Sequence, residues 1–471
     1  MAQINTRKAT GPGTIKNIQI FSNTEPRKSV YLTDLIIDKF TYYESLFQDV
    51  IHASVTYIDS GGTIKAKGGR ELTTAVAGLP ITGSEKVNLL FEDPNEEEIE
   101  VTLYVNNVTE IVVDSTKSMV TLSMNSLELF NNDKIRLNRR FDGKISDHIE
   151  KILKGGKSET GDSLETEKEV DIEKTVGEYN KAFTNKKPFY MMNYFSTRAV
   201  PEGGQGNSAG FLLWETSEGF HFKSIDKLFG QKEKKSIIFN ETPGNPPAGY
   251  DIKALTFDKQ NRNDVKSKLE QGTYATRIIT FDPFTLNYEV SYLNAGNKKQ
   301  SGPKQKGNED TLNKGGEEMP KLSGDIKSAK GGQNDFSRTT YQLIDTGSIP
   351  QGKTKSGVDQ SDDRTGGNEQ VEKKEDKNAK PGETLNQAIM RLNQMNTMKI
   401  SMTLPGDFTL HAGDSVKVDS PQLSAARQSR KRQKVDDQTG GLYIIRDLCH
   451  YMTKDVTYTK VNVVRDSFGR K

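Results

Sequence analysis

The chain has 471 residues, room for about three domains, yet only 33% are hydrophobic and 28% charged, so part of it falls outside any packed core. Its 66 basic and 64 acidic residues give a formal charge of +2, which argues against a dedicated nucleic-acid binder. The one cysteine, Cys449, excludes an intramolecular disulfide and reads as a buried strand thiol; the lack of any run of about 18 apolar residues predicts no membrane insertion.

Met1–Asn5 carries no apolar signal core, so assembly in a cytoplasm is expected. Strand formers then dominate. Val30-Tyr31-Leu32 and Leu35-Ile36-Ile37 are followed by Ser54–Ile58, which ends at the turn Asp59-Ser60-Gly61-Gly62. Ile99, Val101, Leu103 and Val105 alternate with Glu100, Thr102 and Tyr104, and Val120, Leu122 and Met124 alternate with Thr121 and Ser123. A period of two gives each strand one packed face and one wet face, so residues 1–140 are expected to form an antiparallel β-barrel or sandwich.

A helix-containing insertion is expected over 141–208: Ile145, Ile149 and Ile152 share one helical face, and Gly155-Gly156 can end it. Lys157–Glu178 is polar and reads as a surface loop, whereas Phe189–Phe195 is the most apolar stretch of the chain. Phe211–Glu215 and Phe220–Ile225 flank a Gly-containing turn, the pattern of a hairpin. Residues 261–383 read as an inserted polar domain, largely loop or disordered at 297–380, where Lys353–Lys380 offers only Val358 and Val371 as large apolar residues. Strand character returns locally over Thr339–Ile349. Thr384 and Gln387 have capping-box spacing, ahead of a helical face of Leu385, Ala388, Ile389, Leu392 and Met395. Ile400–Leu404, Val416–Val418, Leu442–Cys449 and Val456–Val464 are further strands. They make a second β domain over the last third of the chain. The fold class is mainly β with minor α, and no tandem period points to a solenoid or propeller.

Motifs for chemistry are weak. Gly347–Thr354 fits the phosphate-loop pattern, but Lys355-Ser356-Gly357 is a poor start for the helix that such a loop needs. Gly206–Gly210 fits the nucleophile-elbow pattern around Ser208, but a strand-like run follows it where a helix is required. Asp359, Asp362 and Asp363 before Gly366 miss the spacing of a calcium loop, and Glu96–Glu98 and Glu317-Glu318 read as turn and linker surface. Of the histidines, His52, His148, His221, His411 and His450, none has metal-ligand spacing, so each reads as structural, although distant strands can still bring them together. The expectation is therefore no enzyme, no cofactor and no metal. The sharpest charge feature is Arg427, Arg430, Lys431, Arg432 and Lys434. Without interleaved aromatics it reads as a solvated loop, with contact to a partner or to phosphate as the functional alternative.

The ordered segments resemble a family. Leu79–Val87 after Thr56–Ser60, Gly210–Glu215 followed by Gly219–Asp226, Leu404–Phe408 before Ala412–Val416, and Gly441–His450 ending in Val464–Gly469 are together similar to the baseplate central hub proteins of T-even-like contractile-tailed phages. The resemblance runs from about Ile15 to the C-terminus, with the polar regions unmatched. It implies two tail-tube-like barrels per chain, the first over 1–140 and the second discontinuous over 209–260 plus 384–471, with the Phe211–Ile225 hairpin joining the strands after Ile400. It further implies a homotrimeric ring that adapts a sixfold tail tube to a threefold spike and passes DNA. Implied partners are the spike protein, tail-tube or tube-initiator proteins and baseplate wedge proteins, within the virion. Because DNA must slide without sticking, Arg427–Lys434 would face a neighbour or the outside rather than line the channel. Alternatives are a tail-associated cell-wall hydrolase, a secretion-system spike, which would carry a fused β-helix, and a receptor-binding tail protein, which would carry fibre repeats.

Overall fold

The computed structural model describes residues 10–25, 28–62, 64–65, 72–114, 116–155, 163–203, 208–240, 244–261, 264–282, 286–294, 315, 317, 322–323, 325–326, 337–343, 381–422 and 435–470. The fold is mainly β, and its largest element is a single 14-stranded sheet.

The first strands are β1 (Thr14–Phe21), β2 (Ser29–Tyr31), β3 (Ile36–Ser45), β4 (His52–Asp59), β5 (Ile64–Lys65), β6 (Leu72–Thr73), β7 (Lys86–Glu92), β8 (Glu98–Val112) and β9 (Ser118–Asn125). All but β5 and β6 run antiparallel in the order β2-β1-β7-β8-β9-β4-β3. Alternation decides which face packs: Ala53, Val55 and Tyr57 of β4 and Val120, Leu122 and Met124 of β9 enter one core, while Ser54, Thr56, Thr121 and Ser123 face outward.

A smaller unit follows, with β10 (Arg140–Phe141), β11 (Val170–Ile172), β12 (Lys181–Ala182), β13 (Phe211–Thr216) and β14 (Gly219–Ser224). The helix Ile145–Lys154 buries Ile145, Ile149 and Ile152 as the spacing predicts and ends on Gly155 at φ 80°. The apolar stretch after Lys187 is the helix Pro188–Ser196, opened by Pro188, whose missing N–H costs nothing in the first turn.

Two expectations need correction here. The described part of Lys157–Glu178 is not a plain surface loop: Ser163 and Leu164 are buried, and β11 adds a parallel strand to β14. Three residues of alternation are too few to read as a strand in a polar tract. Nor does the β13–β14 hairpin join the strands after Ile400; it forms its own sheet in the order β11-β14-β13. The reason is that both of its faces are needed for packing. Phe211, Leu213, Phe220 and Phe222 complete the core of the helical unit, while Leu212 and Trp214 pack with Met395, Ala412 and Ile444 of the C-terminal region.

The strands that do join the C-terminal set are β15 (Lys235–Ile238), β16 (Ile252–Lys253) and β17 (Thr256–Asn261). Next come β18 (Ala275–Asp282), β19 (Asn287–Asn294) and β20 (Arg338–Leu343), a separate sheet in the order β19-β18-β20. The remaining strands are β21 (Met398–Pro405), β22 (Ser415–Asp419), β23 (Gly441–Thr453) and β24 (Thr457–Arg465). The helix Pro381–Met395 precedes β21, so Thr384 lies inside its first turns rather than at its cap, and Gln387 instead accepts the Ala209 N–H at 2.8 Å. Proline at the first helical position supplies the start that the capping box was expected to give.

Pairing runs β15-β22-β23-β24-β21-β17. The nearly continuous run of β16 and β17 closes this ring, with Ala254 N–H on Ile238 O at 2.9 Å and Leu255 N–H on Thr403 O at 2.8 Å. Inside lie Ile237, Val416, Ile445, Val461 and Val463. The first barrel closes by borrowing from the second. Residues 447–453 of β23 pair with β3, past a bulge at Arg446, while residues 441–444 pair with β22. At the far end Thr457 N–H donates to Gly11 O at 3.0 Å, and Gly13 N–H donates to Thr457 Oγ1 at 2.6 Å. The β23–β24 hairpin is thus a wall of both barrels, which explains strands of 13 and 9 residues where about 5–6 is usual. No helix among the described residues is long and apolar enough to cross a membrane.

Candidate functional site

The barrels, the helical unit and the β13–β14 hairpin meet at a buried polar junction built on three carboxylates. Glu44 sits near the end of β3, among side chains that are all buried or half-buried. Its Oε1 accepts from Tyr42 Oη at 2.8 Å and Ser217 N–H at 3.0 Å, and lies 3.2 Å from His411 Nδ1. Its Oε2 accepts from Ala412 N–H at 3.0 Å. Burial works to raise this carboxyl, but His411 and the two amides outweigh it and hold it below the ordinary range.

Glu215 comes from β13, a strand with no exposed side chain. It takes Ser126 Oγ at 2.9 Å and Ile51 N–H at 3.0 Å. Lys168 Nζ stands 2.5 Å from Glu215 Oε1 and 2.8 Å from Glu128 Oε2, and Thr166 Oγ1 donates to Glu128 at 2.6 Å. Burial would lower the lysine, but Glu215 and Glu128 overcome this and raise it. Burial also pushes Glu215 upward, which by itself would favour the neutral acid. The two tendencies conflict for a simple pair. They agree for one ammonium shared by two carboxylates, where the charged lysine leaves the acids one negative charge too many. A cavity of about 270 Å³ opens beside this group, lined by Lys168, Glu215, Ser217 and Glu218 and by Glu100–Leu103 of β8.

The histidines divide. His450 is buried against Phe408 and Tyr42, and burial holds it down at about 3, so it stays neutral. His148 is buried with Nε2 2.9 Å from Tyr179 O. His221 stacks on Trp214. Only His411 faces a buried carboxylate closely enough to be raised: burial opposes the proton, and Glu44 prevails. Among the described residues no group of acidic, His or Cys side chains could hold a metal. Cys449 is half-buried rather than buried, with its thiol pushed up by burial.

Arg427, Arg430, Lys431, Arg432 and Lys434 lie outside the described residues, as do Gly347–Thr354 and Asp359–Gly366. Ser208 is buried and leads straight into β13, so the elbow reading fails at the helix that it requires. Sequence reasoning missed Glu44, Glu128, Lys168 and Glu215. The one available signal was a glutamate at the end of the apolar run Phe211–Trp214.

The architecture is that of a mainly-β protein whose two barrels share a hairpin wall, with a helical unit wedged between them. Two solved structures share this fold along nearly their whole length. One is the tail protein from Neisseria meningitidis MC58, 8% identical, with 96% of each chain covered at a TM-score of 0.50. The other is the 43 kDa tail protein of prophage MuSo2 from Shewanella oneidensis, 10% identical, with 96% of this chain and 99% of that one covered at a TM-score of 0.50. No family model and no curated protein sequence matches the chain.

Proposed function

We propose that the chain is a structural, non-enzymatic subunit of a phage tail baseplate, acting as the central hub that joins the tail tube to the cell-puncturing spike. The observation that carries this reading is the end-to-end match of fold: 96% of the chain, both barrels and the wedged unit included, follows two tail proteins. In this role three copies close a ring through which DNA passes, bound by the spike, by tube or tube-initiator proteins and by wedge proteins, within the virion. Exposed apolar side chains support a surface that is covered on assembly. Ile111, Val112 and Val113 project at the end of β8, and Tyr288, Tyr341 and Leu343 share one face of the β19-β18-β20 sheet.

Light scattering on the purified chain, alone and with the candidate spike protein, tests the proposal. A trimer, formed alone or on adding the spike, is expected. A monomer that ignores the spike overturns it, and turnover of purified cell wall by the chain would replace it with the hydrolase reading.

A further inference from the structure

We infer that Glu44 and His411 form a protonation-dependent latch that clamps the first barrel, the central hairpin turn and the second barrel to one another. The partners of the pair come from three separate parts of the chain. Glu44 lies on β3 of the first barrel. Ser217, whose N–H it accepts, is in the β13–β14 turn. His411 and Ala412 lie in the link between β21 and β22 of the second barrel. Four donors from three separate units converge on one carboxylate that is 1% exposed. A neutral Glu44 would leave the Ser217 and Ala412 amides facing a weaker acceptor, in a place where water cannot replace it.

Other charges face the pair. From the hairpin, Glu218 lies 3.9 Å from His411 Nε2, and His221 lies within the field of Glu44. From the β21–β22 link, Asp414 Oδ2 accepts the His411 backbone N–H at 2.8 Å and holds Lys234 Nζ at 2.8 Å. Asp414 favours the His411 proton and Lys234 opposes it. From β23, His450 adds nothing positive at ordinary pH because it stays neutral down to about 3.

His411 is raised above 6.5, so its contribution is complete below 6.5 and is lost as pH rises through the raised value. Glu44 is lowered below 4.5, so its contribution is complete above 4.5 and is lost as pH falls through the lowered value. The latch is tightest between 4.5 and 6.5 and loosens in alkali and in strong acid. His450 acts oppositely: below 6.5 the unfolded chain takes up its proton and the folded chain does not, so stability falls there. Total stability against pH therefore mixes the two histidines, and the test must isolate the pair.

The experiment uses the full chain with carbon-13-labelled histidine, in wild type, Glu44→Gln and His411→Gln. In wild type the His411 ring is expected to titrate above 6.5, and in Glu44→Gln at or below it. Hydrogen exchange, corrected for intrinsic rates, is expected to show protection at Ser217 and Ala412 falling about tenfold between pH of about 5.5 and about 9 in wild type. In His411→Gln that protection is already low and independent of pH. A wild-type His411 titrating at or below 6.5 overturns the inference, and so does equal protection of both amides across the range. Both of these readings come from wild type, so they stand even if a variant fails to fold.

Discussion

Lys168 is the residue on which the polar junction balances. It stands between Glu215, whose side chain is 0% exposed, and Glu128, at 4%. Removing it leaves two buried carboxylates with no counter-charge. Lys168→Met is therefore expected to cost about 3–5 kcal/mol in urea unfolding. The loss has a pH sense. Burial raises Glu215 in the folded state, so between 4.5 and its folded value the native chain holds a proton that the unfolded chain releases. Stability from this group grows as pH falls, and the variant should be less impaired in mild acid than near neutrality. A variant equally impaired at both would place the cost in lost packing instead. None of this could be read from the chain, because Lys168 sits in an acidic, unpatterned tract and meets its partners only after folding.

At the scale of elements, the β13–β14 hairpin was legible and its role was not. Thr216–Gly219 is a clear turn between apolar runs, and Thr216 does pair with Gly219. The glycine is needed for two reasons that involve the tertiary structure. It sits at φ 133°, and a Cβ there would meet Glu169 O at 2.2 Å, where β11 approaches. Phe220 N–H donates to that same carbonyl at 2.9 Å. Gly219→Ala is expected to cost about 2 kcal/mol or more. Hydrogen exchange should show the loss first at β11 and β14, while β7–β9 of the first barrel keep their protection. Loss spread evenly over both barrels would mean that the wedge and barrels unfold as one unit. The hairpin's sheet partner was mistaken because every residue of β13 is buried. A strand covered on both faces carries no alternation to say which neighbour it serves.

For the whole molecule, the decisive feature is the shared β23–β24 wall. It ties the barrels covalently and by pairing to β3, so the first barrel closes only with strands of the second. Thr457 carries the last stitch, through its side chain to Gly13 and its N–H to Gly11. Thr457→Val keeps the shape and removes the Gly13 acceptor. It is expected to lower stability by about 1–2 kcal/mol and to speed exchange at the start of β1. Unchanged exchange there would show that the first barrel closes by other contacts.

By itself the sequence determined the fold class, the strand alternation of the first barrel, the Ile145–Lys154 helix, the hairpin turn and the C-terminal strands. These depend on periodicities of two and 3.6 and on turn chemistry, which neighbours along the chain impose on each other. Tertiary structure alone decided that β23 serves two barrels, that β11 joins the hairpin and that Glu44, Glu128, Lys168 and Glu215 converge. Those contacts span separations of up to several hundred residues, such as the 367 between Glu44 and His411. A buried charge is tolerable only where its partners arrive from elsewhere in the fold. No local pattern records that arrival, so the sequence stays silent where the barrels are clamped together.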